Sequence, residues 1–130
     1  MDKARLNPEL VKHFVSVAHG DWEQVKHLLE QEPALVNAAW DWGGGDWETA
    51  LGAAAHMGRR DIALHLLAHQ ARLDIFAAAM LGKLDVVKSM VLDNPDLQHA
   101  RGPHGIPLLA HAEAGGEEAT AVVDFLKTLP

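Results

Sequence analysis

An all-α solenoid of about four stacked helix–turn–helix units is encoded by three features of this 130-residue chain. Small-residue clusters that close on a glycine recur: SVAHG ending at Gly20, AAAHMG at Gly58, AAAMLG at Gly82 and HAEAG at Gly115. After each glycine comes an apolar trio at i, i+3, i+4: Val25, Leu28 and Leu29; Ala63, Leu66 and Leu67; Val87, Met90 and Val91; Val122, Phe125 and Leu126. That spacing places each trio on one face of a helix. The glycine between two helical stretches reads as a left-handed residue just past the first helix, which lets the second fold back on it.

The units are expected at about 7–36, 37–72, 73–98 and 99–130, in one domain covering 1–130. In the first, Asn7-Pro8 supplies an N-cap and a proline at the first helical position, Asp21 with Gln24 reads as a capping box, and Glu32-Pro33 ends the second helix. This unit departs most from the others, as a terminal capping repeat does. The glycines are spaced by 38, 24 and 33 residues. The surplus of the long interval lies in Asn37 to Glu48, which predicts an oversized projecting hairpin, or finger, on the second unit. The deficit of the short interval leaves Ala71 to Phe76 no room for one, so the third unit lacks its finger. Gly102-Pro103-His104-Gly105-Ile106-Pro107 forms the finger of the fourth unit, its turn preset by Pro103 and Gly105. The alanines at 53–55 and 77–79 keep the first helices thin, for close packing.

Two helices and a connecting turn repeating about every 33 residues is the period of ankyrin arrays. Thr49-Ala50-Leu51-Gly52-Ala53-Ala54-Ala55-His56-Met57-Gly58 resembles the ankyrin signature TPLHxAAxxG, keeping Thr, Leu, both alanines and the last glycine. Ile106 to Gly115 keeps Pro107, Leu108, Ala112 and the glycine. The chain thus resembles a small, bacterial-type ankyrin-repeat protein over roughly residues 8 to 129. The family's signature histidine is replaced by Gly52, Phe76 and Leu109, so the hydrogen bonds it makes near the turn are missing.

Composition narrows the partners. Eleven basic against 18 acidic residues leave a net charge of −7, a sign that repels phosphate backbones and anionic lipid, so neither nucleic acid nor membrane is an expected partner. There is no cysteine, which removes disulfides and thiolate metal sites. MDKARLNPEL carries no apolar secretory core, and the expectation is a cytoplasmic monomer.

The resemblance implies a non-catalytic protein–protein interaction module, and the residues point to its surface. Trp40, Trp42 and Trp47 flank a triple glycine on the long finger, and tryptophan is enriched at interface hot spots. Glu30, Glu32, Asp41, Asp46 and Glu48 occupy the interval between Lys26 and Arg59, which holds no Lys or Arg and so suits a partner with a basic surface. The expected contacts are Trp40, Asp41, Trp42, Asp46, Trp47, Glu48, His56, Phe76, Met80 and His104, with Gly52 in the floor. No cofactor and no metal are expected. His65 and His69 stand at i, i+4 but lack an evident third ligand, and His27 occupies the position of His65 one unit earlier. Catalytic motifs are absent: the only serines are Ser16 and Ser89, neither in a GxSxG elbow, and Gly43-Gly44-Gly45 continues as Asp46-Trp47 rather than as a P-loop. The alternative is a small-ligand or metal-binding protein, extending to a hydrolytic enzyme, with a Trp-walled pocket whose polar groups are histidines or acids.

Overall fold

The computed structural model describes residues 3–130 and is mostly helical. Met1 and Asp2, the first residues of the expected domain and of its leading MDKARLNPEL stretch, lie outside the described residues. Eight α-helices are found among the described residues: α1 (Pro8–Val17), α2 (Trp22–Gln31), α3 (Ala50–His56), α4 (Arg60–Ala68), α5 (Ile75–Met80), α6 (Leu84–Asp93), α7 (Leu108–Ala114) and α8 (Thr120–Lys127). They pack as consecutive pairs, and α1, α3, α5 and α7 form an inner row in which each touches the next. No helix of the described residues is long and apolar enough to cross a membrane.

Local chemistry accounts for the boundaries. Asn7 accepts from the Glu9 N–H, Asp21 from Gln24, Thr49 from Gly52 and Asp74 from Ala77, so each of α1, α2, α3 and α5 begins on a side chain that satisfies an otherwise orphaned donor. Pro33 follows the C-cap of α2 and starts a short 3-10 turn over Pro33–Asn37. The inner helices are nearly all small: every residue from Ala50 to Ala55 and from Ala77 to Met80 is buried. Each trio puts its first residue in the core, but Leu28, Leu67, Phe125 and Leu126 are only partly buried and Met90 is exposed.

Two expectations need correction. The chain is not purely helical, because the long finger pairs with itself as an antiparallel hairpin of β1 (Ala39–Asp41) and β2 (Trp47–Thr49), with Trp40 opposite Glu48. Its turn is fixed by Asp41, whose carboxylate accepts from the N–H groups of Gly43 and Gly45, while Gly43, Gly44 and Gly45 all take positive φ. Nor do all four closing glycines take the left-handed conformation. Gly58 and Gly82 do, at φ 66° and 76°, whereas Gly20 does not and Gly115 sits at −73°, leaving that role to Gly116.

The left-handed glycines also set how closely units approach. A Cβ on Gly58 would strike the Ala114 carbonyl, and one on Gly82 the Glu118 carbonyl, whereas one on Gly44 meets nothing. Asparagine tolerates the left-handed region, so it separates conformation from approach. Gly82→Asn is expected to cost about 2 kcal/mol or more, and Gly44→Asn less than about 1 kcal/mol. Equal denaturation midpoints for the two would show that the close approach is not limiting.

Candidate metal centre

What lies between α4 and α5 decides what meets what. Among the described residues nothing projects there, and the Pro103–Gly105 turn lies directly against the β1–β2 hairpin. A Cβ on Gly52 at the start of α3 would meet Pro103 Cγ at 3.4 Å, and the His104 N–H donates to Asp46 Oδ1 at 2.7 Å across 58 residues of sequence. The space left open is a cavity of about 360 Å³, lined by Trp47, Thr49, Asp74, Phe76, Arg101 and Pro103 among others.

On the inner face beside it, four side chains converge. His19 follows the end of α1, His56 ends α3, Glu48 lies in β2 and His104 in the neighbouring finger. One nitrogen or oxygen from each lies within 4.8 Å of all the others. Glu48 is the centre of the group. Strand alternation sends Trp47 outward and Glu48 inward, where it is 1% exposed. His19 Nε2 is 3.2 Å from its Oε1, and His56 and His104 Nε2 are 3.0 and 3.4 Å from its Oε2. The Trp42 indole N–H donates to Oε1 at 2.9 Å. Burial alone would raise the Glu48 carboxyl, but the hydrogen bonds from His19, His56 and Trp42 outweigh it and hold the group at about 2. His19 is raised in turn, chiefly by its bond to Glu48 and against the cost of burial. The Asp46 carboxyl is lowered, first by the His104 backbone N–H.

The outer ring nitrogens are already committed. His19 Nδ1 lies 3.0 Å from the carbonyls of Val15 and Ser16, which can only accept, so that nitrogen carries the proton. His104 Nδ1 lies 2.7 Å from Asp46 Oδ2, which fixes the same tautomer. Both rings therefore turn Nε2 toward Glu48. A carbonyl or carboxylate behind the imidazole is the arrangement that orients metal-bound histidines and raises their basicity.

The expected contact residues are distributed differently. Asp46, Glu48, His56, His104 and Trp42 come together here, but Glu48 is buried rather than a solvated finger acid. Trp47 is 61% exposed, and Trp40 is half-buried against the core with Lys12 over its ring. Asp41 is spent on its own turn. Phe76 packs beside His111, and Met80, expected in the exposed floor, is fully buried, as is Gly52. The His65–His69 pair is not where donors converge. Its rings are 4.3 Å apart, but His69 Nδ1 is bonded to the His65 carbonyl, His65 packs on Trp22, and no third donor joins them among the described residues. His19 was not among the expected site residues. The available signal was a histidine near the closing glycine, one place before it in SVAHG and two places before it in AAAHMG. Comparison with protein-family models, curated proteins and solved structures finds no match to this chain.

The pairing has a pH signature in metal-free protein. His19 is raised above 6.5, so its contribution is complete below that value and is lost as pH rises through its folded value. Glu48 falls from 4.5 to about 2, so its contribution is complete above 4.5 and is lost as pH drops toward 2. Both are present between those limits, from 4.5 to 6.5. His65 and His111, lowered mainly by burial, slope the other way near neutrality, so the informative quantity is the difference from Glu48→Gln. The wild-type advantage over that variant should peak inside the window and shrink on both sides. An advantage independent of pH would show that the ion pairs contribute nothing.

Proposed function

We propose that this chain is an ankyrin-type helical stack that binds one divalent transition metal on its inner face through His19, Glu48, His56 and His104. The observation that carries this reading is the convergence of three imidazoles on one buried carboxylate, with the far nitrogens of His19 and His104 already tied off. The side-chain-capped Thr49 and the left-handed Gly58, at the ends of the stretch that resembles the ankyrin signature, support the repeat assignment.

The donor set selects the ion class. Imidazole with one carboxylate and no thiolate suits zinc, cobalt, nickel or iron(II), and is too nitrogen-rich for calcium or magnesium. With three neutral histidines, Glu48 among the donors and Asp46 behind His104 supply two negative charges, which balance a divalent ion. Metal–donor distances of about 2.0–2.2 Å require the donor atoms to draw in to roughly 3.4 Å of one another. His104, on a separate finger, can supply much of that motion by shifting with its turn.

One observation favours a second reading, docking of another protein. Trp47 is largely exposed beside an apolar slot of about 300 Å³ formed with Leu6, Pro8, Val11 and Trp40. That surface is separate from the four donors, so Trp47→Ala distinguishes the two by leaving metal affinity intact.

Zinc or cobalt(II), added to chelator-treated protein at about a hundred times its dissociation constant, should stabilise the fold by about 2.7 kcal/mol. His104→Ala or His56→Ala should weaken binding by more than about tenfold, since loss of a mere outer-shell partner already costs about 10–100-fold, while His65→Ala with His69→Ala leaves it unchanged. Calorimetry showing no saturable site in the wild type, or the loss tracking His65 and His69 instead, would overturn the assignment.

A further inference from the structure

The centre has four protein donors among the described residues, and the one further acid in reach is spent. Asp46 Oδ1 accepts the His104 backbone N–H and Oδ2 its Nδ1, both at 2.7 Å. The donors are also unevenly buried: side-chain exposure is 0% for Glu48 and 10% for His56, but 27% for His19 and 35% for His104. The group is closed from below and open on the side of His19 and His104. Trp42 stands beside that opening, its ring 6.5 Å from that of His19 and 6.3 Å from that of His104. Its indole N–H holds Glu48 Oε1, so Oε2, which faces His56 and His104, is the oxygen left for an ion.

Resting on the metal reading above, we propose that the bound ion keeps one coordination position open on the His19–His104 side for a small exogenous oxygen- or nitrogen-donor anion, and that Trp42 is the positioning residue that keeps it open. A carboxylate free at both oxygens can chelate and take up that position itself. One whose Oε1 already meets both the indole N–H and His19 Nε2 presents Oε2 to the ion. Four protein ligands that each take one position leave zinc four-coordinate, and the ion can expand to five-coordinate by adding one exogenous ligand, which a chelating carboxylate would otherwise pre-empt.

Cobalt(II) makes the proposal testable, because its visible absorption reports coordination number. The wild type and Trp42→Phe are loaded with cobalt(II), affinities are measured by calorimetry, and each is titrated with azide. Azide should shift the wild-type bands saturably. In Trp42→Phe the cobalt affinity should fall by no more than about 100-fold, the range for loss of a ligand's hydrogen-bond partner, so that the site can still be loaded, while the azide affinity of the loaded protein falls by more than about tenfold. A merely structural role for Trp42 would move the two together. Cobalt bands that azide does not alter in the wild type overturn the open position, and equal azide affinity in both proteins overturns the role of Trp42. Absence of cobalt bands altogether is a different result and overturns the metal reading itself.

Discussion

A carboxylate taken out of water must be met by donors or cations, and Glu48 is taken out of water almost completely. The rest of the site answers that constraint. Three imidazoles and one indole N–H face its two oxygens, and each is held in place by a different element. The carboxylate is there because β-pairing of the finger turns alternate residues to opposite sides, and residue 48 is on the inward side. Its burial in turn fixes what the histidines do. Without it the three histidines are close neighbours of one another, an unfavourable crowd of groups that can each become charged. With it they are paired donors.

What does not project matters as much as what does. Among the described residues no hairpin stands between α4 and α5, so the β1–β2 hairpin and the Pro103–Gly105 turn meet directly, with the cavity between Trp47, Phe76 and Arg101 beside their contact. The site is built from loops and helix ends around the helix pairs, which fits the principle that function lives in what is grafted onto a scaffold.

Much of the scaffold was legible in the sequence. The helix pairs, the caps at Asn7 and Asp21, the stop at Pro33, the long finger and the missing one follow from periodicity and from local side-chain chemistry. What was not legible depended on through-space relations. Glu48 reads as one more acid in an acidic loop until strand pairing is known, and a three-residue strand carries too little alternation to announce itself. The four donors come from positions 19, 48, 56 and 104, so no spacing rule links them. Local signals also misled. His65 and His69 have a metal-like interval, yet one ring nitrogen of the pair is consumed by the helix's own carbonyl. Gly20 and Gly115 resemble the other closing glycines in sequence, but only at Gly58 and Gly82 does a neighbouring unit press close enough for a Cβ to strike its backbone while φ is positive.

The contact between Asp46 and His104 also changes what kind of folding unit the chain is. Stacked repeats ordinarily behave as a one-dimensional array, in which each unit touches only its neighbours and the ends can fray independently. Here the second and fourth fingers are tied across 58 residues, and α7 touches α3 as well as α5. The second and fourth helix pairs are joined directly, so opening the last pair also exposes part of the second. Such a chain gains cooperativity at the expense of a slower search, because a contact this distant in sequence forms only after much of the loop entropy between its ends has been lost.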